Sequence, residues 1–446
     1  MKKRVLACLV TLAMLLSLLP VSVLAQEPSA AIPAGYGRSI LARMDNAKAL
    51  LYVYDTIEEK LDTTAESIAV GHATHKVTWE ELCTVYDLVL SDHPEVFWHG
   101  TTYSGSVSAD GYAITLAPTY LMAGTELAAA KAALEAEVVR LTADLEGKSD
   151  YDKSLILHDR VAQESVYVKE GMHQTAYGAL VQGKAVCAGY TRAYQLLMQR
   201  VGIPTWYVTG DSFNPYGTLV THAWNLVQLD GEWYYTDVTW DDQTSYTFYA
   251  NLNVTTEQIT EDHIFGDYAE YLPHATATAH NYFVRHDLQM KTLDVDTVAN
   301  VLCNYPIARV YVTGEKDAFV KEFYNKLLDI ASAMQAPPGA ISYGYHSLGR
   351  EVILRLEVQH TCQFASHTVA PTCAEDGYTV ETCSYDFCAK EQNRTVLPAT
   401  GLHSYDDSRD ATCNVCGAVR EISVLPGDVD GDGDRKSTRL NSSHRT

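Results

Sequence analysis

The chain has 446 residues, 47% of them hydrophobic, and its 33 basic side chains stand against 56 acidic ones for a formal net charge of −23. So acidic a molecule repels phosphate backbones, which excludes nucleic acid as a partner, and the length supplies material for two or three domains. Most of the 29 tyrosines are assigned to core and sheet packing.

Lys2, Lys3 and Arg4 precede an apolar run from Val5 to Leu19, and Val23-Leu24-Ala25 offers a cleavage site. Residues 1–25 are therefore expected to be a secretory leader. No later run is apolar for long enough to span a bilayer, so the expectation is a secreted or cell-surface protein with no transmembrane segment after leader removal.

Residues 38–147 read as a mostly helical accessory domain. Helical spacing covers Ser39 to Leu61 and Trp79 to Ser91, Tyr103 to Leu116 reads as a hairpin turned at Asp110-Gly111, and the Ala/Leu/Glu-rich stretch Thr125 to Leu145 reads as a long helix. His72, His75, His93 and His99 have no metal-ligand spacing and are read as surface or capping groups.

Residues 148–290 carry the chemistry. A helix from Tyr151 to about Tyr167 leads in. After Cys187, Tyr190, Ala193, Tyr194, Leu197 and Val201 recur at three and four, and Gly202 with Pro204 gives a stop, so Cys187 is expected at a helix N-terminus. Unpaired N–H groups and the helix dipole favour an anion there, which favours the nucleophilic thiolate. Small residues Ala185, Ala188 and Gly189 are expected to leave room for a substrate chain.

Residues 222–229 and 232–240 read as strands around the type I′ turn signal Asp230-Gly231. A two-residue turn pairs 229 with 232, which brings His222 and Asp237 to one face as diagonal neighbours. A helix bearing Cys187 across that face would complete a nucleophile, base and orienting carboxylate. Asp241 and Asp242 would then point to opposite faces at a solvated strand end. Tyr190, Trp206, Tyr216 and Trp224 are expected to line a substrate channel, core packing being the competing role for Trp206. His263 is read as a supporting group, and Tyr282 as part of a strand.

Gly183-Lys-Ala-Val-Cys-Ala-Gly-Tyr, His222-Ala-Trp-Asn and Asp237-Val-Thr-Trp-Asp-Asp resemble the core blocks of the transglutaminase-like superfamily in type, order and spacing. The resemblance covers residues of about 150 to 285. It implies an α+β, papain-like core in which a helix carrying the cysteine packs on an antiparallel sheet. It also implies that Cys187, His222 and Asp237 act as nucleophile, general base and acid, and orienter. The activity implied is cysteine-dependent acyl transfer on protein or peptide amide bonds through a thioester, either cross-linking or hydrolytic, with no cofactor needed for catalysis. The alternative is a catalytically silent surface-binding or adhesion module on the same core.

Residues 299–358 read as a small C-terminal α/β module: a strand at Ala308–Val312, a helical run from Ala318 to Met334, a break at Pro337, and a strand at Glu351–Val358. Six cysteines crowd the next segment, 360–420, which resembles short repeats of exported bacterial proteins. Cys413-x-x-Cys416 has the spacing of a zinc knuckle, and Cys373, Cys383, Cys388 and His403 are grouped as one four-ligand zinc site. Disulfides among an even set of exported cysteines are equally open at this point.

Asp428, Asp430, Asp432 and Gly433 occupy positions one, three, five and six of a calcium loop, and residues 427–434 resemble a truncated dockerin start, which implies a cohesin-like or cell-surface partner. Position twelve is Arg439 and no helix follows. Residues 435–446 turn basic and read as a non-native end.

Overall fold

The computed structural model describes residues 35–420 apart from residues 215, 216, 244, 389 and 407–409. The leader at 1–25, the calcium-loop segment at 427–434 with Asp428, Asp430 and Asp432, the 435–446 end, and Tyr216 all lie outside the described residues. Two units make up the chain, Met1–Leu288 and Gln289–Thr446. Among the described residues no helix is long and apolar enough to cross a membrane.

In the first unit, helices Tyr36–Leu41 and Ala47–Glu58 replace the single helix expected over 39–61, because Asn46 takes a left-handed φ of 63° between them. Leu50, Val53, Tyr54 and Ile57 recur at three and four and pack on Leu82, Val85, Tyr86 and Val89 of helix Trp79–Asp92. Thr78 and Glu81 start that helix with a reciprocal capping box, a feature that contributes about 1 kcal/mol. The hairpin His99–Val107 and Ala113–Tyr120 turns at Gly111 and adds Ile68–Ala69 as a third strand. His99 is a core histidine between Tyr86 Oη and Leu61 O, a correction to its reading as a surface group.

The domain boundary expected at 147 is not seen. Leu127, Leu134, Val138 and Leu141 of helix Gly124–Thr142 share one apolar core with Leu157, Val161, Tyr190, Tyr194 and Leu197, so this helix belongs to the body that carries Cys187. Most of the remaining segment read as accessory, from Tyr36 to Leu116, packs into an apolar core of its own.

That core sets helices Asp150–Glu164 and Cys187–Arg200 against an antiparallel sheet. Its strand order is Glu232–Thr236, Leu219–Leu229, Thr205–Phe213, His263–Phe265. Leu229 pairs with Glu232 and Asn225 with Thr236, the register the turn spacing predicts, and Asp230 and Gly231 both have positive φ, 49° and 86°. The second strand, however, ends at Thr236 rather than 240. Asp237 caps a short helix, Val238–Asp241, by accepting from the N–H groups of Thr239 and Trp240. Tyr282 begins the helix Tyr282–Arg285 under an Asn281 cap, where a strand was expected.

The second unit holds a four-stranded sheet of Gln289–Met290, Ala308–Val312, Glu351–Val358 and Ile341–Leu348, covered by helices Val295–Asn304, Lys316–Asn325 and Leu327–Ala333. Val298, Val310, Phe319, Phe323, Ile330, Val352 and Leu354 form its core. The continuous helix expected over 318–334 is interrupted at Lys326, whose φ of −106° leaves the helical range. Strands Phe364–Val369, Gly377–Cys383 and Glu391–Leu397 then form a separate antiparallel sheet.

Candidate active site

Cys187 is the first residue of its helix, after the extended N-cap Val186, and is partly exposed. The helix packs along the strand that carries His222, with Asn225 donating Nδ2–H to Thr191 O at 3.1 Å, and Cys187 and His222 are electrostatic neighbours. His222 Nε2 is 2.7 Å from Asp237 Oδ2, which leaves Nδ1 for exchange with the sulfur. His222 is 5% exposed and Asp237 1%, so of the three Cys187 is the most exposed residue.

Asp237 is the hub of the arrangement. Its Oδ1 accepts from Thr239 N at 2.9 Å and Trp240 N at 3.2 Å, while Oδ2 faces His222 Nε2 at 2.7 Å and His263 Nε2 at 3.1 Å. A buried carboxylate is costly unless its lone pairs are met, and here four donors meet them. Burial alone would raise the Asp237 pKa, but the His222 charge and hydrogen bond, with those of His263, hold it below the usual carboxylate range. On His222 burial opposes the imidazolium, yet Asp237 and Cys187 outweigh it and push the pKa up to about 10. His263, buried between Asp237 and Asp262, is raised for the same reason.

Glycine makes the His263 contact reachable. Gly210 pairs with His222 on one side and Phe265 on the other, and a Cβ there would lie 2.0 Å from Ile264 O and 2.8 Å from the Trp224 ring. Only a residue without a side chain lets the His263–Phe265 strand approach so closely.

Two expected substrate contacts are corrected. Tyr190 and Trp224 are fully buried, and a residue with no exposed surface cannot touch a substrate. Tyr190 instead donates its hydroxyl to Asp242 Oδ2 at 2.6 Å, with Ser165 O at 3.1 Å, and Trp224 stands edge-on to His263 behind the histidine pair. Trp206 stacks on Tyr36 at 3.8 Å, a packing role. The small residues near the cysteine also serve packing: Ala185 is buried, and a Cβ on Gly189 would meet His173 O at 2.4 Å. Nor is the Asp241-Asp242 pair a solvated strand end. Asp241 is fully buried, accepting from Asn251 N and facing His158 Nε2 at 3.2 Å.

The sequence reading missed Trp240, Tyr167 and Tyr207. Trp240 packs its ring 5.3 Å from His222 and donates Nε1–H to Ser212 Oγ at 2.9 Å. Burial and the nearby charge of Cys187 raise both tyrosine pKa values, with Arg192 opposing at Tyr207, so both keep their protons at neutral pH. Both hydroxyls are therefore proton donors within the electrostatic reach of Cys187. Neither lies in a recognisable motif: the register sets Tyr207 opposite Asn225, on the face away from His222, and nothing in the sequence marks Tyr167.

Among the described residues, three groups have a metal-like composition. His222, Asp237 and His263 form one, but both histidines there bond to the same carboxylate oxygen at hydrogen-bond distance rather than turning toward a shared centre. The other two lie in the cysteine-rich segment and correct the expected grouping. Cys383 and Cys388 meet His360 and Cys362, whereas Cys373 and His403 meet Cys413 and Cys416. Opposite ends of one sheet separate the residues that had been assigned to a single site.

Residues 139–238 match the family described as the Transglutaminase-like superfamily, which makes this segment of the mixed α+β core similar to that superfamily. No curated protein matches the chain. Among solved structures, a TGase is similar at 15% identity over 31% of this chain, with a TM-score of 0.23. A candidate cysteine protease from Cytophaga hutchinsonii is 14% identical over 31% with a TM-score of 0.21, and a candidate protease from Parabacteroides distasonis is 11% identical over 67% with a TM-score of 0.20. The chain spans 43%, 61% and 62% of those three chains.

Proposed function

We propose that the Met1–Leu288 unit is an enzyme that transfers the acyl group of a protein or peptide amide to a second nucleophile through a thioester on Cys187. The observation that carries this reading is the 2.7 Å contact between buried His222 and the fully bonded Asp237 carboxylate, with Cys187 at its helix start as the electrostatic neighbour of that histidine.

In the first half-reaction His222 already holds the proton taken from the thiol, and the sulfur attacks the amide carbonyl. The carbonyl oxygen becomes an oxyanion, which meets backbone N–H groups at the start of the Cys187 helix and the protonated hydroxyl of Tyr167 or Tyr207. His222 returns its proton to the leaving amine as the C–N bond breaks, leaving an acyl thioester. In the second, His222 removes a proton from water or a primary amine, that nucleophile displaces the sulfur, and Cys187 regains its proton. Water gives hydrolysis and an amine gives a new amide; the triad serves both. Every step uses side chains and backbone of this chain. The leader-like residues 1–25 support an exported setting for this activity, with the 427–434 segment as a tether to a surface partner.

The test incubates the full chain with Gln- and Lys-containing peptides and a labelled amine, followed by mass spectrometry. The expected products are acylated Cys187 together with a cleaved or amine-bearing peptide, abolished by Cys187→Ala and lowered by roughly 10⁴-fold in Asp237→Asn. Absence of both acyl-enzyme and product across the panel would replace this reading with the silent binding module.

A further inference from the structure

The segment after Val358 folds with almost no apolar core. Among the described residues of 361–420, the buried ones are Cys373, Gly377, Val380, Cys383 and Cys413. Strand Phe364–Val369 is exposed at every position, and Glu391–Leu397 is exposed up to its last residue. One buried valine contributes about 1.5–3 kcal/mol. Ordering each backbone residue costs about 1–2 kcal/mol. Apolar burial therefore cannot hold this three-stranded sheet, and what is buried instead is sulfur.

The sulfurs lie at the two ends of the sheet, each set with a histidine. At one end, His360 and Cys362 come just before Phe364, Cys383 stands opposite Phe364 in the register, and Cys388 lies in the following connection. At the other end, Cys373 lies in the connection between the first two strands, and His403, Cys413 and Cys416 follow the third. Within each set the four ligand atoms lie within 4.8 Å of one another.

The distances have a metal's signature. Zinc bonds of about 2.3 Å to sulfur and about 2.0 Å to nitrogen, arranged as a tetrahedron, give edges of about 3.8 Å between sulfurs and about 3.5 Å between sulfur and nitrogen. Observed are 3.9 Å for Cys362 Sγ to Cys388 Sγ, 3.8 Å for Cys362 Sγ to His360 Nε2, and 3.4 Å for His360 Nε2 to Cys383 Sγ. In the second set they are 3.7 Å for Cys373 Sγ to Cys413 Sγ and 3.3 Å for Cys416 Sγ to His403 Nδ1. His360 donates Nδ1–H to Val358 O at 3.0 Å, which fixes its tautomer and turns the Nε2 lone pair toward the sulfurs. Gly417, at φ 72°, closes the Cys413-x-x-Cys416 turn with its N–H on Cys413 O at 2.9 Å. A disulfide framework would have no use for two histidine nitrogens aimed at thiols.

We propose that this segment binds two zinc ions, one held by His360, Cys362, Cys383 and Cys388 and the other by Cys373, His403, Cys413 and Cys416. Each ion displaces three thiol protons and is coordinated by protein at all four positions, which makes both sites structural. The ligands interleave along the chain, so the two ions brace opposite ends of the same sheet and supply the stabilisation that its missing core does not.

The experiment measures zinc per chain and thiol oxidation on the full-length protein, by elemental analysis and non-reducing mass spectrometry. Two zinc ions per chain and six reduced tail thiols are expected. His360→Ala and Cys416→Ser should each lose one ion and keep the other, the double variant should lose both, and Cys83→Ser should keep two. Cobalt substitution should give tetrahedral thiolate spectra, a reading that does not depend on how well a variant folds. Zinc-free protein with a disulfide-linked tail, a single ion per chain, or unchanged zinc in either variant would overturn the proposal.

Discussion

His263 Nε2 lies 3.1 Å from the same Asp237 oxygen that His222 Nε2 approaches at 2.7 Å, so one buried carboxylate orients two imidazoles. Asp262, at 2.6 Å from His263 Nδ1, fixes the second ring in turn. The carboxylate that orients His222 is therefore itself held, by a strand that is remote in sequence from both His222 and Cys187.

Removing that support should weaken turnover without unfolding the domain. A hydrogen bond to a charged group contributes about 1.5–3 kcal/mol, which corresponds to roughly 10- to 100-fold in rate. His263→Leu is expected to lower kcat within that range and leave KM unchanged, because His263 acts through Asp237 and does not touch substrate. His263→Gln, which keeps an N–H donor, should recover part of the loss. Equal losses in the two variants would assign His263 a packing role only.

The His222–Asp237 pair makes stability depend on pH in a defined window. The His222 pKa is raised from an ordinary 6.5 to about 10, so its contribution is fully present below 6.5 and is lost as pH rises through about 10. The Asp237 pKa is lowered from an ordinary 3.8, so its contribution is present above 3.8 and is lost as pH falls through the depressed value. Both contributions coexist between about pH 4 and 6.5. The Tm difference between the wild type and Asp237→Asn should be largest there and shrink toward pH 10. A difference that stays level across that range would show that the two groups are not coupled through charge.

Much of this arrangement was legible because it is local. The Asp230-Gly231 turn fixes a register, the register fixes faces, and the helix start at Cys187 follows from spacing alone. The capping helix at Asp237 was hidden, since Val238-Thr239-Trp240 has strand-forming side chains and only the folded site shows that the Asp237 carboxylate caps the N–H groups of Thr239 and Trp240. His263 and Gly210 were weak signals for a different reason: their meaning lies in strand neighbours that no short spacing encodes. In the tail, His360 and Cys362 stand two residues apart just ahead of the Phe364 strand, but the register of Phe364 with Cys383 is what joins them to Cys383 and Cys388.

A fragment of residues 35–288 contains every residue assigned to the acyl-transfer site and the apolar cores that hold them. It is expected to fold cooperatively and to keep the peptide-dependent activity of the full chain within a few-fold. Thermal melting and the acyl-transfer assay check this together. A folded fragment without turnover would mean that residues beyond 288 complete the site.

Cysteine reactivity gives the most direct reading of the triad. Cys83 lies inside helix Trp79–Asp92, one turn past its start and behind the acidic Glu80 and Glu81. Burial, with the charge of Asp386, pushes the Cys303 pKa up and suppresses its thiolate. Cys187 stands at a helix start with access to solvent and against a ring that Asp237 holds protonated. Iodoacetamide at mildly acidic pH should therefore modify Cys187 first, ahead of Cys83 and Cys303, as read by peptide mapping of the full chain. His222→Ala removes the imidazolium and should slow that modification by roughly 10-fold or more, in line with about 1.5–3 kcal/mol for a charge-assisted contact. Asp237→Asn should slow it by less, because it leaves the ring in place but lets its proton go more easily. If Cys83 or Cys303 reacted as fast, or if His222→Ala left the Cys187 rate unchanged, the sulfur would be an ordinary thiol and the silent binding module would account for the fold.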